Sequence, residues 1–303
     1  MPTSEQSTLR RGIISAVSAY VMWGLAPLYF KLIDHISFDE ILVHRIVWST
    51  ILLLLIVVLS NRWRIFIRAI CQAKIVGRLT ITAAFLVANW SMYIWAVNHD
   101  QILDASLGYY INPLFNVALG VIFLGERLRP WQIIAVALAL VGIIVQVVMI
   151  GSLPIISLAL AASFGIYGLL RKQLPIDSFV GLLIESLVML PIALIYWLFF
   201  LETTTSNMFM NSWSLNTILI CAGIVTTAPL LCFTTAAKSL TLTALGFFQY
   251  IGPSIMFLLA TFYYQEPLYF AKLITFACIW TALAIFSVDS IKARKQLKII
   301  SEV

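Results

Sequence analysis

The sequence predicts an all-α integral membrane protein with ten transmembrane helices, and composition, hydropathy and charge distribution all support this fold class. Hydrophobic residue types make up 62% of the 303 residues and charged types only 11%. Soluble domains are about half apolar and about a quarter charged. A soluble chain with so little charge could not cover its surface, so the composition excludes an ordinary soluble enzyme, a disordered chain and a nucleic-acid-binding module.

The apolar residues form ten continuous blocks, each close to the ~20 residues that cross a bilayer as a helix. The blocks cover residues 12–32, 40–60, 75–97, 104–124, 130–149, 153–170, 178–200, 214–236, 241–264 and 270–288. We predict helices, because a single span in hydrocarbon must satisfy its own backbone hydrogen bonds. The first block resembles a signal sequence but is too long for one, so we expect it to be retained.

The basic residues predict the orientation of the spans. With a cytoplasmic N-terminus, 16 of the 19 Lys and Arg residues lie in segments on the cytoplasmic side, which is the positive-inside pattern of membrane proteins. Ten spans place both termini in the cytoplasm, where residues 289–303 form a basic tail. No GxxxxGKS or GxxxxGKT motif occurs, so we do not expect ATP to be the direct energy source.

Two segments of the chain share a pattern that predicts an inverted repeat. Tyr110-Ile111-Asn112-Pro113 in span 4 matches Tyr250-Ile251-Gly252-Pro253 in span 9, and thirteen residues after each proline comes a glutamate, Glu126 or Glu266. We predict one five-helix repeat over residues 1–149 and a second over 150–288. Because each repeat has an odd number of spans, the second repeat begins on the opposite side of the membrane from the first. The halves therefore have opposite orientations, which is typical of transporters with a substrate site between the halves. Chance similarity between apolar segments is the alternative.

Arg45 and Glu185 are the charged residues that lie well inside the spans. They are 140 positions apart, as are Pro113 and Pro253, so they occupy corresponding repeat positions. A charged group in hydrocarbon is costly and usually faces a cavity or a partner. We expect Arg45 to hold an anionic group of the substrate, and Glu185 to bind a cation or a proton and so to couple transport to an ion. The alternatives are that Arg45 reaches to the outer interface and that Glu185 hydrogen-bonds a neighbouring helix.

Prolines, polar stripes and aromatic residues extend the predicted cavity. Pro113 and Pro253 each leave a backbone carbonyl without its helical partner, and broken helices supply polar contacts in transporters. The cavity candidates are Trp23, Arg45, Asn89, Trp95, Tyr109, Asn112, Pro113, Asn116, Glu185, Gln249, Tyr250 and Pro253. For the polar stripes the alternative is hydrogen bonding between helices. Spans 5 and 10 carry little that is polar and are expected to be peripheral, facing lipid or forming a dimer.

Several longer motifs carry a family resemblance that spans essentially the whole chain. They include Trp23-Gly24-x-Ala26-Pro27, Glu40-Ile41-Leu42-x-His44-Arg45, Leu124-Gly125-Glu126-Arg127 and Gly246-Phe247-Phe248-Gln249-Tyr250. With these motifs the sequence resembles permeases of the EamA family in the drug/metabolite transporter superfamily. The resemblance implies ten helices in two inverted halves, a central cavity, a location in the inner (plasma) membrane of a Gram-negative bacterium, and a permease role without a settled substrate.

We therefore expect a secondary permease for a small organic metabolite or drug-like solute, coupled to an ion by alternating access. A passive channel or facilitator and a polytopic subunit of a membrane complex are the alternatives. An intramembrane enzyme would need a catalytic motif such as HExxH, and the sequence contains none. The expected partners are a small-molecule substrate and the lipid bilayer, with a homodimer as an option. We expect no nucleic acid, no cofactor and no metal.

Overall fold

A computed structural model describes residues 4–99, 101–150, 155–265 and 270–301 of the chain. These residues form twelve α-helices and one π-helical turn. The helices are α1 Ser4–Lys31, α2 Phe38–Leu59, α3 Trp63–Ile70, α4 Ala73–Asn98, α5 Ile102–Leu124, α6 Pro130–Ile150, α7 Ile155–Gln173, α8 Ser178–Phe199, α9 Trp213–Ser239, α10 Leu242–Gln249, α11 Ile251–Leu258 and α12 Phe270–Ser301. The π-helical turn, Leu259–Tyr263, continues α11. Glu266 lies outside the described residues.

Ten segments in the described part of the chain are long and apolar enough to cross a membrane. They are α1, α2, α4 to α9, α12 and the segment Leu242–Tyr263, which combines α10, α11 and the π-helical turn. The predicted all-α membrane fold with ten spans is confirmed. Each predicted block overlaps one span, and the bounds differ mainly at the helix ends, where polar residues continue the helix beyond the apolar block.

The sequence analysis missed the short helix α3 because eight residues give no transmembrane signal. Phe66 and Ala69 of α3 are buried, whereas Arg64 and Arg68 are exposed. The helix is therefore amphipathic, with its apolar side on the bundle and basic groups outside, as in helices that lie at a membrane interface.

The helices of the two halves pack on each other in matched pairs. Spans 1 to 5 of the first half correspond to spans 6 to 10 of the second, and the helix contacts follow this correspondence. The α1–α9 contact corresponds to the α4–α7 contact, the α2–α9 contact to the α4–α8 contact, and the α5–α7 contact to the α1–α11 contact. In three further contacts each helix packs on the helix that corresponds to it in the other half: α2 on α8, α5 on α10 and α6 on α12. A repeat over residues 1–149 and 150–288 would produce such a pattern, but the repeat, its inverted orientation and the cytoplasmic termini stay predictions.

Span 9 breaks between α10 and α11, four residues upstream of a proline. Pro253 has no N–H for the Gln249 carbonyl, and α10 ends at Gln249. α10 packs on α5, whereas α11 packs on α1, so the break redirects the second part of the span. The matched Pro113 does not break α5, which runs on to Leu124. At Pro113 the α5 backbone packs directly on Gly246 of α10, so closely that a Cβ atom at Gly246 would lie 2.5 Å from the Pro113 carbonyl oxygen.

The orientation can be tested with reporter fusions. A reporter fused after Lys172 or at the C-terminus should be cytoplasmic, and one fused after Glu202 should be outside, because basic residues collect on the cytoplasmic side. Reporter activity in intact cells is the measurement. An external C-terminus would contradict both the span count and the orientation.

Candidate substrate cavity

A narrow cavity lies between α2, α4, α8 and α9. It is lined by Arg45, Ile46, Ser49, Leu53, Leu86, Trp90, Leu182, Glu185, Ser186, Met189, Thr226, Thr227 and Leu230. Its volume is about 10 Å³, which is on the order of one water molecule. The cavity brings together Arg45 and Glu185, the two charged residues that the sequence analysis selected. An organic solute could enter only if the surrounding helices moved apart.

Arg45 points into this cavity from α2. Its Nε–H donates a hydrogen bond to the Thr226 hydroxyl at 2.9 Å, and its guanidinium carbon lies 4.5 Å from the centre of the Trp90 ring. The face of an aromatic ring attracts a cation at this distance. Within the described residues no acidic side chain pairs with Arg45, and its two terminal amino groups have no hydrogen-bond acceptor. This placement favours a cavity role over a position at the outer interface.

Glu185 lies wholly buried on α8 and pairs with another buried charge. Its Oε1 atom accepts a 2.5 Å hydrogen bond from the Thr82 hydroxyl and lies 3.6 Å from the Arg171 Nε atom. The Tyr167 hydroxyl is 3.5 Å from the other carboxylate oxygen, which is long for a hydrogen bond. The alternative of a hydrogen bond to neighbouring helices is therefore also realised, since Thr82 is on α4 and Arg171 on α7.

Arg171 is the functional candidate that sequence reasoning missed. It stands in the last turn of α7, and the sequence analysis counted it among the basic residues of the cytoplasmic loops. The structure buries it completely. Gly181 on α8 makes room for it, because a Cβ atom there would lie 2.2 Å from an Arg171 amino nitrogen. Basic residues at span ends are common, so only the facing helix reveals that this one points inward.

Arg45 and Glu185 carry opposite charges but have similar surroundings in the two halves. Arg45 on α2 bonds Thr226 on α9, and Glu185 on α8 bonds Thr82 on α4. These helix pairs are counterparts in the packing pattern, and the two threonines are 144 positions apart. Arg45 and Glu185 each follow the first residue of their helix by seven positions. Each half thus contributes one charged residue to the cavity, and each of these charged residues bonds a threonine on another helix.

The other ten predicted cavity residues do not line the described cavity. Asn89 donates hydrogen bonds of 2.9 Å to the Leu160 carbonyl and the Ser163 hydroxyl, and Asn116 donates one of 2.7 Å to Gln249. These bonds join α4 to α7 and α5 to α10, so they fit the alternative of hydrogen bonding between helices. A polar stripe shows which face of a helix is polar, but it does not show which neighbour that face meets.

The aromatic candidates are dispersed. The Trp23 ring packs against Tyr20, Phe164 and Phe233, with ring centres 5.6 to 5.8 Å apart. Trp95 is 47% exposed. Tyr109, which is 41% exposed, packs on Tyr93 with ring centres 6.3 Å apart and lies close enough to Arg45 for the two side chains to interact electrostatically. The remaining candidates are buried and are not among the lining residues: Asn112, Pro113, Tyr250 and Pro253. Aromatic residues near span ends often face the membrane interface instead of a cavity.

Comparison with known proteins gives the family. Residues 10–148 match the EamA-like transporter family. A protein of Escherichia coli K12 named Protein RarD is 49% identical, over 95% of this chain and 97% of its own. This chain belongs to the EamA-like transporter family, among the RarD proteins. An uncharacterized transporter of Vibrio cholerae is 54% identical over 96% of each chain. A solved structure 19% identical has a TM-score of 0.70, covers 93% of this chain and 98% of that one, and has the same fold. The protein is thus a multi-pass membrane transporter.

A polar network joins several helices of this RarD-like transporter near the ends of α7, α9 and the start of α10, and we call it the basic-end latch. It consists of Arg62, Glu126, Lys172, Asp177 and Lys238. Glu126 accepts backbone N–H bonds at the start of α10, from Leu242 at 2.6 Å and Thr243 at 2.9 Å. Lys172 donates to backbone carbonyls at the end of α9, Lys238 donates to the Ile176 carbonyl between α7 and α8, and Arg62 pairs with Asp177. The latch therefore joins helices of both halves at one end.

The Glu126 contact gives a stability prediction. Replacing Glu126 by alanine should destabilise the purified protein by about 1 kcal/mol, because α10 would lose the carboxylate that caps its first N–H groups. Thermal unfolding in detergent measures the effect. The matched control is Glu202→Ala, whose side chain is exposed and should leave stability unchanged. Equal midpoints for the two variants would contradict a capping role.

Proposed function

We propose that this transporter is a secondary permease that moves a small organic solute across a bacterial inner membrane by alternating access, with Glu185 as its ion-coupling group. The observation that carries the proposal is the cavity that holds Arg45 and Glu185 between the two halves. Charged groups inside hydrocarbon mark substrate and ion pathways in membrane transporters.

The size of the cavity supports alternating access. About 10 Å³ holds no organic solute, so a solute could pass between Arg45 and Glu185 only in a conformation that widens this cavity. In this proposal the basic-end latch opens during transport, and α11 moves relative to α10 at the break in span 9. A passive channel would instead need one continuous opening.

The Arg171–Glu185 pair supports ion coupling by a proton. Protonation of Glu185 would remove the counter-charge of a buried guanidinium, and an unpaired buried charge costs several kcal/mol. Arg171 lies in the last turn of α7, beside the Lys172 of the latch. A protonated Glu185 therefore favours a rearrangement that brings Arg171 to water, and that rearrangement needs the latch to open.

The test is transport by the full chain in proteoliposomes. Metabolites that differ between cells lacking and cells overproducing the protein provide the solutes, and flux is measured with and without an imposed pH gradient. Coupling predicts accumulation that follows the gradient and collapses when a proton ionophore dissipates it. Equal flux with and without the gradient would contradict proton coupling, and no flux of any solute would contradict the transport proposal itself.

A further inference from the structure

We infer that the solute is an organic monoanion, a carboxylate with an apolar body, whose carboxylate binds Arg45. The inference rests on the proposed permease function and names its substrate class. Two charged residues line the cavity in the described part of the chain, Arg45 and Glu185. Arg171 balances the Glu185 charge from 3.6 Å, so the cavity carries the single uncompensated positive charge of Arg45.

Uncommitted hydrogen-bond donors surround that charge. Nε of Arg45 is held by Thr226, which fixes the guanidinium and leaves its terminal amino groups for a ligand. The neighbouring Thr227 is only 2% exposed and lines the cavity, yet its hydroxyl has no hydrogen-bond partner in the part of the chain that the structure describes. A buried polar group without a partner is costly. A planar carboxylate fits the fork of a guanidinium and could also accept a bond from this hydroxyl.

The rest of the lining favours an apolar body. Apart from Arg45, Glu185 and the two threonines, the lining is mostly apolar, with Leu53, Leu86, Leu182, Met189 and Leu230 beside Ser49 and Ser186. The Ser49 hydroxyl already donates to the Gly223 carbonyl. The apolar side chains offer no hydrogen bonds to a multiply charged or highly hydroxylated solute, and removing such a solute from water without replacing its bonds is unfavourable. Burying an apolar surface against them is favourable.

The same contacts disfavour a zwitterion. An ammonium group would need a free carboxylate, and the Glu185 carboxylate is committed to Thr82 and Arg171. The sequence analysis left open whether Glu185 binds a cation of the substrate or a proton, and the Arg171 pair favours the proton. An inorganic dianion would leave one of its charges uncompensated, because among the described residues Arg45 is the one cation of the lining and has no acidic partner.

The experiment uses proteoliposomes containing the full chain and loaded with a total bacterial metabolite extract. Mass spectrometry identifies the solutes that leave faster than from protein-free vesicles, and each is classified by its charge at pH 7. We expect carboxylate monoanions with apolar bodies. Export of cations, zwitterions or neutral solutes would overturn the substrate class and leave the permease function standing. Export of no solute would reject the permease function, and the substrate class with it.

Variants link the solutes to the site. Arg45→Gln should lower the efflux of the monoanions at least about tenfold, whereas Lys31→Gln, which removes an exposed positive charge that pairs with Asp34, should not. Thr227→Val keeps the side-chain shape and should raise KM about two- to tenfold with little change in the maximal rate. Unchanged KM for Thr227→Val together with equal efflux by Arg45→Gln and Lys31→Gln would overturn the assignment of the carboxylate to this site.

Discussion

Replacing Arg45 by alanine is expected to lower transport about 10- to 100-fold, because charge-assisted hydrogen bonds contribute about 1.5–3 kcal/mol each. Lysine should fall between alanine and the native residue. It keeps the charge but loses the planar fork that grips a carboxylate and the flat surface that stacks on Trp90. Initial rates in proteoliposomes, normalised to the amount of reconstituted protein, measure the effect.

Lys31→Ala is the matched control for Arg45→Ala, since both remove one positive charge and Lys31 lies exposed in the last turn of α1. The control should transport at the native rate. If Arg45→Ala also transports at the native rate, Arg45 does not bind the solute, and its bond to Thr226 serves only the packing of α2 on α9.

Replacing Glu185 by glutamine is expected to abolish gradient-driven transport and also to destabilise the protein by about 3–5 kcal/mol. Glutamine can still accept a bond from Thr82, but it leaves the buried Arg171 guanidinium without a counter-charge, and breaking a buried ion pair has about this cost. Glu185→Asp should keep part of the activity, because the carboxyl persists but retreats by one methylene group. Stability and gradient-driven transport must therefore be measured on the same samples.

A double variant separates coupling from stability. Glu185→Gln with Arg171→Gln removes both buried charges, so it should recover most of the stability that the single variant loses. If Glu185 is the proton site, the double variant still fails to follow the pH gradient. Recovery of both stability and gradient-driven accumulation would show that the ion pair is structural and would contradict the coupling role.

The sequence predicted the membrane fold because hydropathy alone determines where spans lie in lipid. It also selected Arg45 and Glu185, because charges are rare enough inside spans to stand out. Their threonine partners did not stand out, since a threonine in a membrane helix usually bonds the carbonyl of its own preceding turn, as Thr50 does with Ile46. Only the packing of α2 on α9 and α8 on α4 identifies Thr226 and Thr82.

Other parts of the site depended on which neighbour each helix face meets. Asn89 and Asn116 have the polarity of cavity residues, but they join helices. Arg171 has the position of a cytoplasmic anchor, but the absence of a side chain at Gly181 lets it fold inward. Pro113 and Pro253 match in sequence, yet only the second interrupts its span, because α5 is held against α10 at Gly246. Local sequence does not encode these long-range contacts.

The charge reversal between Arg45 and Glu185 gives the carrier an electrical polarity. Two identical halves in opposite orientations would present the same groups to each side of the membrane and would work equally well in both directions. Here one half contributes a guanidinium and the other a carboxylate at the same position within its helix. Because Arg171 already neutralises Glu185, only the side of the cavity next to Arg45 carries a net charge. The two faces of the carrier would therefore bind an anion with unequal affinity, while the solute and proton gradients still set the net direction of transport.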